Sequence, residues 1–376
     1  LDDFDLATWF EEVYIHDAAW ESNVSRRVRS ILKTQAIRVD EKPFSENGGQ
    51  LSAKEFDHSK KRLYVAPHQG HFFRKCPGTQ GAACCNYFVL NLGSQCNMNC
   101  TYCYLQSYIN SPMTQIYSNI DDALLELDNL ILKNPQSAFR VGTGETIDSL
   151  SLDDLTHYSV RLVEWFSRHP KLTCEFKTKS DNISNFLNLN HVGNVVVSFS
   201  INPEEIISKF EFRTASLKRR LAAARASADQ GFPVAFHIDP MIYVENWRVL
   251  YSDLVDEIVD LFETHEIKWI SVGALRFQPA MKDMMRERFG VHAPSTTGEL
   301  FLSSDGKLRY DQRLRSEMFN SVITRFKKAD PRYPVFLCME TPETWLNTFE
   351  ATPRQVQNIE DLFLPQAFKE TGIHTR

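Results

Sequence analysis

From residue 87 onward the chain alternates short, β-branched apolar runs with segments of helical period, and that alternation leaves few architectures open. The runs at 87–92, 139–141, 172–178, 195–200, 234–238 and 269–272 read as buried strands. Strands joined through helices are parallel, so the order implies repeated βα units and an α/β fold. The helices show in their ends and faces. Ser151-Leu152-Asp153-Asp154 resembles a capping box ahead of a helix at 155–166, and 216–228, rich in Ala, Arg and Leu, stops before Gly231. The segment 247–265 keeps Leu250, Leu254, Ile258 and Leu261 on one face.

What flanks these units differs in kind. Residues 1–80 carry an acidic amphipathic stretch near Trp9 to Trp20, a basic helix-like run at 25–33 and a polar loop at 45–52, and read as an N-terminal extension packed on something else. Beyond the sixth run, 300–310 alternates with period two around Asp305-Gly306, which predicts a β-hairpin with a type I′ turn. A helix at 311–328, a strand at 333–337 and a helix at 342–349 follow. The expected organisation is therefore an extension at 1–80, a βα core at 81–290 and a hairpin with helices at 291–376. A net charge of −6 excludes a uniformly basic nucleic-acid coat, though not a local basic face. With no apolar stretch near 18 residues and an acidic opening unlike a signal peptide, the expectation is a cytoplasmic protein without a membrane partner.

Six of the eight cysteines lie between Cys76 and Cys103, which points to metal or redox chemistry rather than a disulfide scaffold. Cys96, Cys100 and Cys103 form a C-x3-C-x2-C triplet directly after the first run. Three thiolates on one short loop suit a 4Fe-4S cluster whose fourth iron lacks a protein ligand. That open iron can chelate S-adenosyl-L-methionine and pass an electron to its sulfonium, giving a 5′-deoxyadenosyl radical. The competing reading is structural zinc, with Cys84, Cys85 or His71 as fourth ligand.

With these residues in view, the chain resembles the radical S-adenosylmethionine superfamily, and more narrowly the spore photoproduct lyase family. The likeness runs from about 25 to about 345. It rests on Cys-Asn-Tyr (85–87), Cys-Tyr-Leu-Gln (103–106), Thr-Lys-Ser (178–180), Phe-His-Ile-Asp-Pro (236–240), Ser-Val-Gly-Ala-Leu-Arg-Phe (271–277), Asp-Gly-Lys-Leu-Arg-Tyr (305–310) and Cys-Met-Glu-Thr-Pro-Glu (338–343). It implies a partial TIM-like (βα)6 barrel with cluster and cofactor at the carboxyl ends of the strands. The runs agree, since they lead into Gly142 to Glu145, Lys177 and Lys179, Ser198 and Ser200, His237 and Asp239, and Ser271 followed by Arg276. Any one of these polar ends could simply cap a helix; together they define a mouth.

The resemblance also implies roles. Gly144 and Glu145 match the superfamily's Gly-Gly-Glu element, in which the carboxylate accepts from the methionyl ammonium and the glycines admit the cofactor. Lys179 and Ser200 match positions holding its carboxylate and ribose, against readings as a solvated lysine and a helix cap. His237 and Asp239 serve substrate or cofactor, or His237 is a satisfied strand-end histidine. Tyr102 and Tyr104 flank the last cluster cysteine as the family's hydrogen-relay tyrosines do, although Tyr104 could instead stack on adenine or seal the cluster. Arg276, Arg309 and Tyr310 are the expected substrate contacts. Arg309 and Tyr310 match the family's lesion-contacting pair, and Lys282, Arg286, Arg288, Lys307, Arg313 and Arg315 lie nearby as a phosphate-gripping or merely solvated face. The implied activity is repair of a pyrimidine photoproduct in DNA by hydrogen abstraction and C–C cleavage, with a flavodoxin or ferredoxin as electron donor.

One departure stands out. The family carries a hydrogen-donating cysteine just after the second strand, where this chain has Gly144-Glu145-Thr146. The donor is then Cys84, Cys85, Cys174 or Cys338, or a tyrosine, or the substrate is a modified nucleotide, peptide or small natural product instead.

Overall fold

Eight strands lie side by side in the order in which the chain makes them. The computed structural model describes residues 5–44, 50–79, 81–83, 85–294 and 298–363. Its main sheet holds β1 (Phe73–Lys75), β2 (Tyr87–Leu90), β3 (Arg140–Gly142), β4 (Thr173–Thr178), β5 (Val195–Ser200), β6 (Val234–Met241), β7 (Ile267–Ala274) and β8 (Val335–Leu337). β1 pairs antiparallel with β2, and every later neighbour pairs parallel, in a sheet that curls into a half-barrel. The six strands expected from the apolar runs are β2 to β7, and the closing strand expected at 333–337 joins the same sheet as β8.

Alternation along the strands sorts the side chains. Phe176, Val197, Phe199, Phe236, Ile238 and Ile270 are at most 1% exposed and fill one face. Glu175 and Lys177, Ser198 and Ser200, and His237 and Asp239 occupy the alternate positions on the other. Register aligns Lys177 with Ser198, Ser200 with His237, and His237 with Ser271, so the polar residues form rows across four strands.

The helices deviate where a side chain has other work. The segment expected at 155–166 divides into Asp153–Thr156 and Tyr158–Phe166 at His157, whose φ is +50°. Its expected capping box does not form, because the Ser151 hydroxyl donates to Asn97 Oδ1 at 2.7 Å instead. Trp247–Leu261 ends early, and its buried face runs through Tyr251, Leu254, Val255 and Ile258 while Leu261 is exposed.

The N-terminal residues form more of the structure than an extension suggests. Ala36–Val39, Glu12–His16, Arg62–Ala66 and Thr114–Tyr117 pair parallel in that order, and Gly93–Ser94 joins antiparallel as the fifth strand of a second sheet. Val13, Ile15, Leu63 and Val65 are fully buried in it. Short strands far apart in sequence give little local signal, which is why this sheet escaped the sequence reading.

Phe301–Leu302 and Leu308–Arg309 form the expected hairpin, with Arg276–Phe277 as a third strand. Its turn differs. Gly306 donates to the Ser303 carbonyl at 2.9 Å and takes φ +75°, while Asp305 is not among the positive-φ residues, so the turn is type I followed by a left-handed glycine. The Asp305 carboxylate is drawn instead to Arg309, 2.6 Å away. Arg309 also meets Glu340 at 3.2 Å, and Arg315 reaches the same carboxylate at 3.2 Å, with Glu340 only 1% exposed. Glu340 thus ties the hairpin and the helix Gln312–Ala329 to the end of β8. Glu340→Gln should cost about 3–5 kcal/mol by leaving buried guanidinium charge without its counterion, read as a lower urea midpoint. Replacing the exposed Glu343 with Gln should move it by less than about 0.5 kcal/mol.

Candidate active site

The cysteine loop leaves β2, passes through the second sheet at Gly93–Ser94, and pairs Asn99–Cys100 antiparallel with Glu211–Phe212. Gln95 turns it with φ +75°, a conformation that costs a non-glycine residue about 1–2 kcal/mol. Two amide bonds offset that cost: Gln95 Oε1 accepts from the Cys96 N–H at 3.2 Å, and Nε2 donates to Ser59 Oγ at 2.8 Å. Lys60 donates to the Cys96 and Met98 carbonyls at 2.8 and 2.7 Å. Arg288, from the helix Met281–Phe289, binds Gln106 Oε1 at 2.6 Å and also Asn99 of the loop and Asp57 of the helix that ends at Lys60.

Cys96 and Cys100 are buried, Cys103 is half-buried, and none is in a disulfide. Burial pushes the Cys96 thiol up to about 11, against the pull of the Lys60 ammonium, and raises Cys100 further. Among the described residues no three Cys, His, Asp or Glu side chains stand close enough to hold one metal ion. Zinc–sulfur bonds of about 2.3 Å would need the thiolates gathered round one point, whereas a four-iron cluster is held from its separate corners. His71, a candidate fourth zinc ligand, faces Glu126 at 3.3 Å on the surface, and Cys84 lies outside the described residues. Three soft thiols on one loop, with Lys60 acting on Cys96 and Lys179 on Cys100, fit an iron–sulfur cluster.

The loop after β3 meets the cysteine loop directly. The Tyr104 hydroxyl donates to the Glu145 carbonyl, and the Glu145 carboxylate stands 3.8 Å from the Lys177 ammonium. Asp148 organises the turn by accepting from the Leu150, Ser151 and Lys179 N–H groups and from the Thr178 hydroxyl. A Cβ at Gly144 would stand 2.6 Å from the Lys177 carbonyl oxygen, so its smallness serves packing on β4.

The inner face carries paired charges. Glu175, 1% exposed, lies 2.7 Å from His237 Nε2 and 2.6 Å from Ser198 Oγ. Burial opposes its ionisation, yet His237, Arg140 and Ser198 hold its carboxyl well below the usual range; burial in turn lowers His237, against the pull of Glu175. Arg276 grips Asp239 through two bonds of 2.8 and 2.9 Å. Against the cost of burial, Arg276 lowers the Asp239 carboxyl to about 2. Lys177, though buried, is held as an ammonium by Glu145 and Asp239.

Of the expected site residues, Tyr102 is buried and its hydroxyl donates to Glu211, which also takes Arg220 at 2.7 Å and Asn202 at 2.9 Å. Burial raises the Glu211 carboxyl, but Arg220 and Lys179 overcome this and hold it at about 2. The Lys179 ammonium lies 5.8 Å from the Tyr102 ring centroid, and Ser200 is buried with its carbonyl accepting from Arg220. The reading of the late arginines as a phosphate grip requires correction. Arg276, Arg288, Arg309 and Arg315 are each bound to a carboxylate and at most 12% exposed at the side chain. Tyr310 is 1% exposed, its hydroxyl oxygen accepting from the Tyr243 N–H at 3.1 Å, so it does not project as a wedge. The exposed apolar residues of the hairpin are Phe301 and Leu302.

Sequence reasoning missed Lys60, Asp148, Glu175, Glu211 and Arg220. Glu175 had a signal, a carboxylate at an alternate position inside an apolar strand; the others meet their partners only through the tertiary fold.

Glu211 and Asp239 make a pH-dependent contribution whose sign follows from their lowered values. Both contribute fully above the ordinary 4.5 and 3.8, and that stability is lost as pH falls towards about 2. Urea unfolding should show stability falling below pH 4.5, and Glu211→Gln with Asp239→Asn should flatten the fall while lowering the plateau.

A curled parallel sheet with a C-x3-C-x2-C loop after the strand β2 and a polar inner face defines a radical S-adenosylmethionine enzyme. The comparisons narrow this. A family model, Spore photoproduct lyase, matches residues 9–296, and the chain belongs to that family. It is 25% identical over 350 residues to a spore photoproduct lyase of Clostridium acetobutylicum, covering 87% of this chain and 99% of the relative. Matches to the spore photoproduct lyases of a Geobacillus strain (27% over 205 residues) and Bacillus subtilis (29% over 172) cover 60% and 50% of those relatives. A solved spore photoproduct lyase variant with bound AdoMet and dinucleoside spore photoproduct superposes with a TM-score of 0.74 at 21% identity, covering 89% of this chain and 99% of that one. Among the described residues no helix is long and apolar enough to cross a membrane.

Proposed function

We propose that this chain repairs a pyrimidine photoproduct in DNA by radical C–C cleavage, using a 4Fe-4S cluster on Cys96, Cys100 and Cys103 and S-adenosyl-L-methionine. The observation that carries the reading is the joining of the cysteine loop to the polar inner face through Tyr104 and Glu145. When bound, the two groups supply one-electron cleavage of a C–S bond and abstraction of a hydrogen atom. The residues of the chain bind and orient around them. Glu145 offers a carboxylate towards an ammonium, Lys179 and Ser200 border the same rim, and Tyr102 presents a phenol whose proton is already directed at Glu211. Anaerobic incubation of the reconstituted, reduced protein with S-adenosyl-L-methionine should release 5′-deoxyadenosine, and irradiated oligonucleotides should change its yield. If no oligonucleotide does so, the substrate lies outside DNA.

The missing donor finds its best replacement in Cys338. Cys174 is fully buried beside Glu175 but alternates to the outer face, and Cys85 receives Arg140 Nη2 at 3.0 Å. Cys338 follows β8 at the rim, half-buried, with Arg276 Nη2 3.8 Å from its sulfur. Burial raises its thiol well above the ordinary range, so the S–H hydrogen is retained at neutral pH for transfer to a substrate carbon radical. The S–H bond breaks, a C–H bond forms, and the sulfur radical returns to the thiol by taking one electron from the flavodoxin- or ferredoxin-type donor and one proton from water. Cys338→Ala should lower the yield of repaired base at least about tenfold while 5′-deoxyadenosine still forms, and mass spectrometry should find adducts of the unquenched substrate.

DNA contact falls to Phe301 and Leu302. Exposed apolar side chains on the strand of a hairpin can enter a disrupted base stack. Phe301→Ser with Leu302→Ser should reduce the preference for irradiated over intact duplex in a binding titration, with circular dichroism unchanged.

A further inference from the structure

Lys60 ends the helix Ala53–Ser59 and is 1% exposed. Its ammonium meets only neutral oxygens within hydrogen-bond reach: Gln95 Oε1 at 3.4 Å, the Cys96 carbonyl at 2.8 Å and the Met98 carbonyl at 2.7 Å. The Phe56 ring centroid lies 5.0 Å away. Among the described residues no carboxylate pairs with it, in contrast to Arg220, Arg276, Arg309 and Arg315, each of which has one. An ammonium removed from water without a counterion is costly, and two carbonyl bonds do not replace a negative charge. The nearest groups able to carry negative charge are the thiols of Cys96 and Cys103, whereas Arg213 and Arg288 add positive charge to the same region. The expected anion is therefore what the cysteine loop carries when loaded.

We propose that Lys60 is the charge partner of the cluster: a positioning residue that fixes the loop through two carbonyls and raises the cluster's reduction potential. The inference rests on the cluster reading above. Reduction adds one electron from dithionite, breaks no bond, and increases the negative charge of the cluster and its thiolates by one. A fixed, buried cation beside the loop favours that added charge, since cluster potentials follow net charge and local environment. The pull of Lys60 needs no hydrogen bond to sulfur, because it acts through space. It differs from a structural tether in that a neutral donor of similar reach would satisfy a tether.

The test uses the full chain, reconstituted anaerobically, with the cluster followed by iron content and by EPR-monitored titration. Lys60→Gln keeps a donor and removes the charge; Lys60→Arg keeps the charge. The glutamine variant should show a midpoint potential lower by at least about 59 mV, a tenfold shift in a one-electron equilibrium, with arginine close to wild type. Loss of the cluster in the glutamine variant alone would support the same conclusion. The apo form of Lys60→Gln should be no less stable to urea than wild type, because it sheds an uncompensated charge, which a purely structural role would not allow. A wild-type potential in Lys60→Gln, or equal loss of the cluster in both variants, would overturn the inference. If wild type itself takes up no iron, it is the cluster reading that fails.

Discussion

Seven strands that run the same way bring seven carboxyl ends to one rim, and no other feature of the chain does so much to decide where chemistry can occur. Helical crossovers enforce the direction, and helices covering one face oblige that face to be apolar. The alternate positions face inward, where Glu175, Lys177, Ser198, Ser200, His237, Asp239 and Ser271 fall into register. Placing a cysteine loop after β2 then sets its thiols beside that polar interior without any further design.

The second organising force is the cost of burying charge. Arginines that look available in sequence are held by carboxylates inside the fold: Arg276 by Asp239, Arg220 by Glu211, Arg309 and Arg315 by Glu340. Such pairs add little net stability relative to apolar packing, but breaking one leaves a charge stranded, so they hold the parts of the rim in fixed relation. Glu340 does this for the hairpin and β8, and Glu211 for Tyr102 and the helix Leu217–Asp229 that carries Arg220.

How far the molecule was legible depended on whether a feature was local. The six apolar runs, the Ser216 start of the helix Leu217–Asp229 and the cysteine spacing are written in contiguous residues, and each corresponds to an observed element. The second sheet was not, because Glu12–His16 finds partners at Ala36–Val39 and Arg62–Ala66, and Thr114–Tyr117 lies a further fifty residues along. Asp305-Gly306 correctly marked a turn, but its type was decided by Arg309 drawing the aspartate inward. The clustered arginines misled for the same reason: linear density of charge says nothing about which carboxylates the fold will bring to meet it. Tyr310, expected with Arg309 as a lesion contact, is part of the core.

The cysteine loop is fastened ahead of its cysteines to two different sheets, leaving β2 of the main one and pairing through Gly93–Ser94 with Thr114–Tyr117 of the other. That imposes an order on the birth of the enzyme. The segment that supports the loop, Ala53–Ser59 with Lys60, emerges from synthesis before the cysteines, whereas Arg288, which also binds it, emerges nearly two hundred residues later. The loop therefore has the support of Lys60 as it is made, and that of Arg288 only after most of the half-barrel has followed.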